Sequence, residues 1–339
     1  MKKSKVFLIT LTTLSLFFSC QKEGNNDLES PQSITDQKLV NPEEAYPNRT
    51  GEVHSLYYGE QNVKVQAIDD TYVLGGDILF SKEDLKQNPE QVGAPSLTET
   101  ADRSVGRTGR RWTNNTVYYT IDRNLVNQRR VTDAIAHWER NTALRFVRRT
   151  NQRDYIRFVT GSGCSSFVGK RGGRQDINLA PGCSTGNTIH EIGHAVGLWH
   201  EQSRVDRDDV ITINFNNIVE RARGNFLTYA QQRQDGAEYT RNLDLGSIMM
   251  YGSFFFSANG EPTIVRKNGS TFNVQRDGLS PGDIQGINQM YPGNNNGNIC
   301  DGVSAYVSGR SYPIGARVTF RGFLFERVSG GWDRLGQCG

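Results

Sequence analysis

The spacing of histidines constrains this chain more than any other feature of its sequence. Three of its five histidines, His190, His194 and His200, fall within eleven residues, in the order His-Glu-Ile-Gly-His-Ala-Val-Gly-Leu-Trp-His. Residues four apart share one face of an α-helix, so His190 and His194 can direct both imidazoles at one point. The spacing therefore predicts a helix whose two histidines hold a metal ion.

Gly197 is expected to bring in the third ligand. Glycine readily takes the left-handed conformation that ends a helix, which turns the chain so that His200 arrives from another direction. Three neutral nitrogens leave one position of a zinc ion open, and an open position distinguishes catalytic zinc sites from structural ones. We therefore predict one Zn²⁺ on His190, His194 and His200.

Glu191 is the predicted general base. It follows the first ligand directly, about 100° round the helix from His190 and beside the open position. Zinc lowers the pKa of a bound water to about 7, so Glu191 could take its proton, and the resulting hydroxide would attack a peptide carbonyl. The alternative is a core helix that happens to be rich in histidine, which the intact pattern disfavours. For His54 and His137, outside the pattern, we expect surface or locally bonded side chains.

The first twenty residues resemble an export signal. A cluster of lysines precedes an apolar run from Val6 to Phe18, which is too short to cross a bilayer of about 30 Å and suits a signal-peptide core. The run ends at Cys20 before a polar stretch, as in the lipobox of bacterial lipoproteins. Lipidation of Cys20 and ordinary signal cleavage both stay open. No later segment is apolar for long enough to cross a membrane.

Export changes the interpretation of the remaining cysteines. Cys164, Cys183, Cys300 and Cys338 are an even number in an oxidising compartment, which predicts two disulfides with three possible pairings. Proximity favours Cys164 with Cys183 and Cys300 with Cys338, each worth about 3–4 kcal/mol in the chain-entropy model. Free buried thiols are the less favoured alternative.

Charge divides the chain into an acidic and a basic part. The formal net charge of +3 combines +3 over residues 1–20, −9 over residues 21–100 and +9 over residues 101–339. A near-neutral total argues against a dedicated nucleic-acid binder, and the split indicates an interaction tail or two parts that cover one another. With 36% hydrophobic residues, the composition excludes collagen, a coiled coil and a mostly disordered chain.

Local patterns predict several elements before and after the basic stretch. Residues 21–55 are polar and are expected to form a flexible leader. A short helix is predicted from Ser81 to about Gln87, and Ala101 to Trp112 is predicted as an exposed linker of the kind that proteases cut. The following elements are a helix over Val131–Thr142 and strands over Val117–Ile121, Leu144–Val147 and Tyr155–Val159.

The zinc segment, continued by Glu201 to Asp208, resembles the astacin family of metzincin endopeptidases. The likeness covers Trp112 to Tyr291. It implies an α+β fold with two subdomains, a twisted mixed sheet and an active-site helix, and it also implies a Cys164–Cys183 pair. Ala143 stands where the family usually has cysteine, so the family's second disulfide is absent from this domain.

Ser247-Ile248-Met249-Met250-Tyr251 resembles the methionine turn of metzincins. The resemblance implies that Met249 forms the floor of the site. It also implies that Tyr251 ligates zinc at rest and swings away to stabilise the oxyanion during turnover, for which a phenol is suited. Met250 replaces the family's usual histidine, which affects local hydrogen bonding rather than catalysis.

Leu74-Gly75-Gly76-Asp77-Ile78 resembles the Phe-x-Gly-Asp pattern of astacin prosegments. The resemblance implies that Asp77 displaces the catalytic water and keeps the proenzyme latent, with the glycines letting the backbone approach closely. A glycine turn with a solvated aspartate is the alternative. Cys20 is a rival latch if it is not lipidated, because a thiolate is a good zinc ligand.

Glu201 carries an implication for maturation. In the family this glutamate meets the new N-terminal ammonium of the mature enzyme. We therefore expect cleavage between about Ala101 and Gly109, by a separate activating protease or by autolysis.

The segment from Cys300 resembles small carbohydrate-binding modules of secreted bacterial chitinases. Tyr306, Tyr312 and Trp332 are its candidate sugar-stacking residues, with the filling of a small core as the alternative. Together these expectations divide the chain into a signal peptide (1–20), an acidic prosegment (21–103), a catalytic domain (104–292), a linker (293–298) and a small all-β module (299–339).

The predicted function is that of a secreted zinc endopeptidase, made as a latent proenzyme, which cuts proteins or peptides. The alternative is a surface lipoprotein adhesin or carbohydrate binder with a secondary metal site, although mere binding needs neither Glu191 nor Tyr251. A basic mature part would favour acidic substrates by long-range steering. Expected partners are substrates, an activating protease and polysaccharide, without nucleic acid or a transmembrane span, and with a lipid anchor if Cys20 is modified.

Overall fold

The structure is a computed structural model that describes residues 44–47, 49–58, 61–88, 103–107, 109–232, 234, 236–292, 300, 303–312, 316–328 and 331–337. In chain order the strands are β1 (Glu52–Tyr58), β2 (Gln61–Ile68), β3 (Thr71–Leu74), β4 (Ile78–Ser81), β5 (Arg103–Gly106), β6 (Thr116–Ile121), β7 (Arg145–Arg148), β8 (Tyr155–Val159), β9 (Cys164–Phe167), β10 (Arg174–Leu179), β11 (Ile211–Ile213), β12 (Ala237–Tyr239), β13 (Ile264–Arg266), β14 (Arg317–Phe320), β15 (Phe323–Val328) and β16 (Gly331–Gln337). The α-helices are α1 (Arg129–Asn141), α2 (Thr185–Ala195) and α3 (Pro281–Met290), and short 3₁₀ helices cover Thr113–Asn115, Glu201–Ser203, Arg207–Asp209, Phe215–Asn217 and Glu220–Phe226.

Nine strands form one mixed sheet in the order β1-β2-β3-β4-β9-β10-β8-β6-β7. Strands β1 to β4 form an antiparallel meander, and β4 then pairs in parallel with β9, with Ile78 opposite Ser166 and Leu79 opposite Phe167. An edge strand offers unpaired backbone groups to an added strand. The sheet of the predicted catalytic domain is thus extended at β9 by strands from the predicted prosegment.

Two apolar clusters explain how these parts hold together. The larger core lies between the sheet and helices α1 and α2 and includes Val117, Trp138, Phe158 and Ile192. A second cluster packs apolar side chains of β1 to β4 against Val105, Val168 and Trp199. The N-terminal strands therefore share a hydrophobic core with the catalytic part, in addition to their backbone pairing.

The predicted α+β class, with a mixed sheet and an active-site helix, is confirmed. Strands β14, β15 and β16 form a separate three-stranded antiparallel sheet near the C-terminal end. The strands predicted over Val117–Ile121 and Tyr155–Val159 correspond to β6 and β8, that over Leu144–Val147 corresponds to β7, and the helix over Val131–Thr142 corresponds to α1.

The predicted helix from Ser81 to Gln87 is wrong. Ser81 ends β4, and a turn follows in which the Asp84 carboxylate accepts hydrogen bonds from the backbone N–H and hydroxyl of Ser81, both at 2.9 Å. Lys86 then exchanges two backbone hydrogen bonds with Tyr57 of β1, each 2.7 Å long. Aspartate competes with helix formation in this way because its side chain bonds nearby backbone groups.

The predicted exposed linker over Ala101–Trp112 is also wrong for much of its length. Val105 and Arg107 are buried, and β5 pairs with β12. The N–H of Arg107 donates to the carbonyl of Gly197 at 2.9 Å, and the N–H of Trp199 donates to that of Val105 at 3.1 Å. The sequence favoured exposure because of its arginines, but pairing with distant segments buries the backbone.

The expected leader over residues 21–55 is ordered at its end. Strand β1 begins at Glu52, and Ala45 is buried, with its N–H bonded to the carbonyl of Gly76 at 2.7 Å. Residues 21–43 lie outside the described part of the chain. No helix within that part has the length and apolar character that a membrane crossing requires.

Candidate metal centre

Helix α2 presents two of the three histidines. Ser184 caps its first turn in a capping box with Asn187, which satisfies N–H groups that a helix start leaves open. The helix ends at Ala195, and Gly197 adopts a φ of 115°, a conformation that favours glycine. The chain turns there and continues through Trp199 to His200.

Backbone carbonyls orient the imidazoles of the helix. His190 Nδ1 lies 2.8 Å from the carbonyl oxygen of Ile248, and His194 Nδ1 lies 2.8 Å from that of Leu198. A carbonyl can only accept, so each Nδ1 carries the proton and donates it. In a neutral ring the other nitrogen, Nε2, then presents a lone pair, which is how second partners orient metal-ligating histidines.

Asp77 faces all three imidazoles. Its Oδ2 lies 3.3 Å from His190 Nε2 and 3.1 Å from His200 Nε2, and its Oδ1 lies 3.7 Å from His194 Nε2. All four side chains are buried, and one ligand atom from each lies within 4.8 Å of the others. Nitrogen lone pairs and a carboxylate repel one another, so this arrangement of the three imidazoles and Asp77 needs a cation between them. Three nitrogens and one oxygen suit a tetrahedral zinc ion, so the site fits one Zn²⁺.

Burial and charge set the protonation states here. Burial lowers the pKa of His194 to about 4, which keeps the ring neutral as a metal ligand requires. For Asp77 burial acts in the opposite direction, but the adjoining imidazoles, that of His200 above all, hold its pKa well below the usual range. Asp77 is therefore a carboxylate.

The segment that carries Asp77 is fitted closely to the cleft. Gly75 and Gly76 have φ angles of 64° and 85°. A Cβ on Gly75 would lie 3.0 Å from His200 Nδ1, so a larger residue would crowd the ligand. Its N–H donates to Asn225 Oδ1 at 3.0 Å, and its carbonyl accepts the hydroxyl of Tyr251.

The residues around Met249 form a buried support. A Cβ on Gly193 would lie 2.7 Å from Met249 Sδ, which shows how closely the methionine packs beneath α2. Asp283, in the first turn of α3, accepts hydrogen bonds from the Ser247 hydroxyl at 2.6 Å and from the Ile248 N–H at 2.9 Å. The same Ile248 offers its carbonyl to His190, so Asp283 supports a ligand indirectly.

Tyr251 lies beside the third histidine. Its ring centroid is 4.5 Å from that of His200, and the ring is fully buried. In the described state its hydroxyl is bonded to the carbonyl of Gly75. Glu191, one residue after the first histidine, is completely buried in α2.

Glu201 is a buried carboxylate behind the site. It accepts the N–H of Asp244 at 3.0 Å, and Arg204 Nη1 lies 3.5 Å from it. Burial raises the pKa of Glu201 to about 8, although Arg204 acts to lower it. A cation beside Glu201 would oppose this rise in pKa, because a nearby positive charge favours the ionised form of a carboxyl group.

The sequence did not single out Asn225, Ser166 or Asp283. Asn225 binds the backbone of Gly75, and the N–H of Ser166 donates to the carbonyl of Asp77 at 3.1 Å. No local pattern marks the first two residues. Asp283 was detectable in principle, because Ser-x-x-Asp before an apolar helix is a capping-box signature.

The remaining predicted residues are more distant from the metal centre. Cys164 and Cys183 form a disulfide with a Cα–Cα distance of 6.0 Å. Cys300 is disulfide-bonded, while Cys338 and Cys20 lie outside the described residues.

The predicted sugar-stacking aromatics lie close together. The rings of Tyr306 and Tyr312 stack with centroids 5.7 Å apart, and that of Trp332 lies edge-on at 5.7 Å from the first and 5.2 Å from the second. Tyr306 and Trp332 also line a cavity with Val318, Phe320 and Phe325.

Comparison with known proteins decides the family. A family model described as Astacin, a family of peptidases, matches residues 104–292. The chain belongs to the astacin family. Among similar proteins, zinc metalloproteinase nas-4 of Caenorhabditis elegans is 36% identical over 257 residues, which cover 73% of this chain and 76% of that protein.

Two sea urchin proteins show a partial match. Blastula protease 10 of Paracentrotus lividus is 36% identical over 64% of this chain and 38% of its own length. Protein SpAN of Strongylocentrotus purpuratus is 34% identical over 64% of this chain and 37% of its own length. The chain thus spans less than two fifths of these relatives.

One solved structure in the comparison is high choriolytic enzyme 1, a hatching enzyme zinc-protease from Oryzias latipes. It is 33% identical, the match covers 54% of this chain and 93% of that one, and the TM-score is 0.48.

Proposed function

We propose that this astacin-family chain is a zinc metalloendopeptidase, exported and made as a latent proenzyme. The observation that carries the proposal is that three imidazoles face one carboxylate. Backbone carbonyls orient two of these imidazoles, and Glu191 lies on the helix that carries both of them. His190, His194 and His200 would hold the zinc ion, and Asp77 would take the position that a catalytic water needs.

The chemistry follows from the groups around that position. When bound, zinc acts as a Lewis acid and makes a bound water nucleophilic at neutral pH. Glu191 takes the proton of the attacking water and passes it to the leaving amine. Once its hydrogen bond to the carbonyl of Gly75 is broken, the hydroxyl of Tyr251 donates a hydrogen bond to the developing oxyanion. An extended peptide pairs with the edge strand β9, where β4 lies in the latent chain.

Latency arises because one segment occupies two functional positions at once. Asp77 faces the metal ligands, and the carbonyl of Gly75 takes the hydroxyl of Tyr251. Removal of the prosegment, residues 21–103, would free both. Since Val105 and Arg107 are buried, cleavage by an activating protease or by autolysis is expected toward the N-terminal end of the 101–109 window. The new ammonium would then pair with Glu201.

For residues 299–339 we propose binding of a polysaccharide. The aromatic cavity around Tyr306 and Trp332 supports this, since sugar rings stack on such faces. The test is retention of the full chain on insoluble chitin or cellulose, compared with a Trp332→Ala variant. Equal retention of both would contradict the proposal. The adhesin alternative for the whole chain is not favoured, because the family match covers the metal site itself.

The endopeptidase proposal is tested on casein or gelatin with processed chain, first stripped by a chelator and then given zinc. Proteolysis should disappear on chelation and return with the metal. A processed chain with zinc restored that cuts no protein would contradict the proposed function.

A further inference from the structure

A second carboxylate of the predicted prosegment is held by the catalytic part. Asp84 Oδ2 lies 2.7 Å from Arg171 Nη2, and Arg171 also donates to the hydroxyl of Ser81 at 2.8 Å. The two charged side chains are only 13% and 22% exposed, so solvent screens this pair less than a surface pair. Asp84 is thus received at a site of defined geometry.

Arg171 is oriented by residues outside the prosegment. Its guanidinium carbon lies 4.2 Å from the ring centroid of Phe167, the last residue of β9. Its backbone N–H donates to Gln175 Oε1 at 3.0 Å. Because neither contact involves residues 21–103, the arginine can keep its position when that segment leaves.

Asp84 and Arg171 line a small surface cavity, and two more guanidinium groups line it as well. Arg107 and Arg110 each lie over the ring of Tyr58, at 5.1 Å and 5.5 Å from its centroid. Tyr58, like Asp84, belongs to the predicted prosegment. Within the described residues, Asp84 is the only carboxylate at ion-pair distance from Arg171. Removal of the prosegment therefore takes Asp84 away from Arg171, and the Tyr58 ring away from Arg107 and Arg110.

We propose that Arg171, assisted by Arg107 and Arg110, forms a substrate subsite for an aspartate or glutamate side chain, which Asp84 fills in the latent chain. This inference rests on the proposed endopeptidase function and names a substrate class for it. Strand β4 adds four residues after Asp77, about 13 Å at 3.3 Å per residue. The subsite thus binds the side chain of a substrate residue about four positions from the scissile bond. It is distinct from the subsite for the residue directly beside that bond.

The test is cleavage-site profiling of processed enzyme with zinc on a peptide library. Wild type should enrich Asp and Glu at one position about four residues from the cut. Arg171→Gln should lose this enrichment, and Arg171→Glu should replace it with Lys and Arg. On the preferred acidic peptide, kcat/KM should fall about tenfold in either variant, as expected for a charge-assisted contact. On the same peptide with alanine in place of the acidic residue, kcat/KM of the variants should differ little from that of wild type.

Arg129→Glu is the matched control, because Arg129 lies on α1 with an 86% exposed side chain and the charge change is the same. It should keep the wild-type profile, which separates local recognition from long-range steering. Acidic enrichment that survives in both Arg171 variants overturns the inference. An active wild-type enzyme whose cleavage sites show no acidic enrichment at that position also overturns it. A wild type that cuts no peptide contradicts the proposed function instead.

Discussion

The two sides of the metal centre are built in different ways. The three histidines lie within eleven residues on a helix and the turn after it, whereas Asp77 stands 113 residues before His190 and reaches the site through strand pairing. Backbone carbonyls of the catalytic domain, not of the prosegment, accept the Nδ1 hydrogen bonds that orient His190 and His194. The histidine side should therefore persist when the Asp77 side is removed.

On the histidine side, substitution of Glu191 should reduce activity more than any other change considered below. Glu191→Gln should lower kcat of the processed enzyme by about 10³-fold, because general acid–base catalysis of this kind contributes 10² to 10⁴. Zinc content should not change, since Glu191 is not a proposed ligand. Activity on casein and metal analysis measure the two quantities.

The exposed Glu261 provides the control for that variant, because Glu261→Gln makes the same chemical change away from the site. It should retain full activity. A Glu191→Gln enzyme with more than a tenth of wild-type activity would show that another group moves the proton.

The next largest effect concerns the Asp77 side. In the unprocessed chain, Asp77→Ala should raise proteolytic activity about a hundredfold, since it removes the carboxylate that faces the three histidines. Asp70→Ala is the control, because Asp70 lies in the same segment but is exposed and paired with Lys82. Activity gained in Cys20→Ala but not in Asp77→Ala would instead assign the latch to Cys20.

A smaller effect is expected at Gly75. Gly75→Ala places a Cβ 3.0 Å from His200 Nδ1 at a φ of 64°, which should strain the inhibitory segment by about 1–2 kcal/mol. The unprocessed chain should then show roughly tenfold more activity, while the processed enzyme, which lacks residue 75, stays unchanged.

Gly172→Ala serves as the control for Gly75→Ala, because Gly172 also has a positive φ but no atom near its missing Cβ. It should leave latency intact. If Gly75→Ala is as inactive as the wild-type proenzyme, close backbone approach is not required for inhibition.

The smallest effect is a pH dependence of stability in the catalytic domain. Burial, helped by Arg140, lowers the pKa of His137 below its ordinary value of 6.5, and its Nε2 accepts the N–H of Leu279 at 2.9 Å. Near that pH the unfolded chain binds more protons than the native one. The free energy of unfolding should therefore decrease as pH falls through 6.5.

Urea unfolding of the processed enzyme between about pH 5 and 7.5 measures this slope. His137→Gln should show a shallower slope than wild type, because it removes the titrating group. Identical slopes would place the pH dependence in other groups.

The same contrast explains what the sequence could predict. Local periodicity was sufficient for α1, β6 and β8, and residue spacing was sufficient for the proposed histidine ligands. Local sequence patterns gave the wrong conformation for Ser81–Gln87 and for β5. Backbone hydrogen bonds with Tyr57 decide the conformation of the first segment, and pairing with β12 decides that of the second. Asn225 was missed for the same reason, since its role depends on a glycine 150 residues earlier in the chain.

The resemblance of Leu74–Ile78 to a family pattern placed Asp77 near the metal, but it carried no information about the strands that deliver it. Pairing of β4 with β9 is a long-range contact between two short strands, each four residues long. Such pairing is specified by the assembled sheet edge rather than by local sequence.

In the latent chain, a carboxylate of the chain's own prosegment is proposed to bind the metal ion. A crystal structure of the unprocessed chain with zinc, with the ion located by anomalous scattering, tests it most directly. An Asp77 carboxylate oxygen is expected about 2.0–2.2 Å from zinc, beside three imidazole nitrogens at about 2.0–2.1 Å. A cysteine sulfur at about 2.3 Å, or a water in place of Asp77, would contradict it.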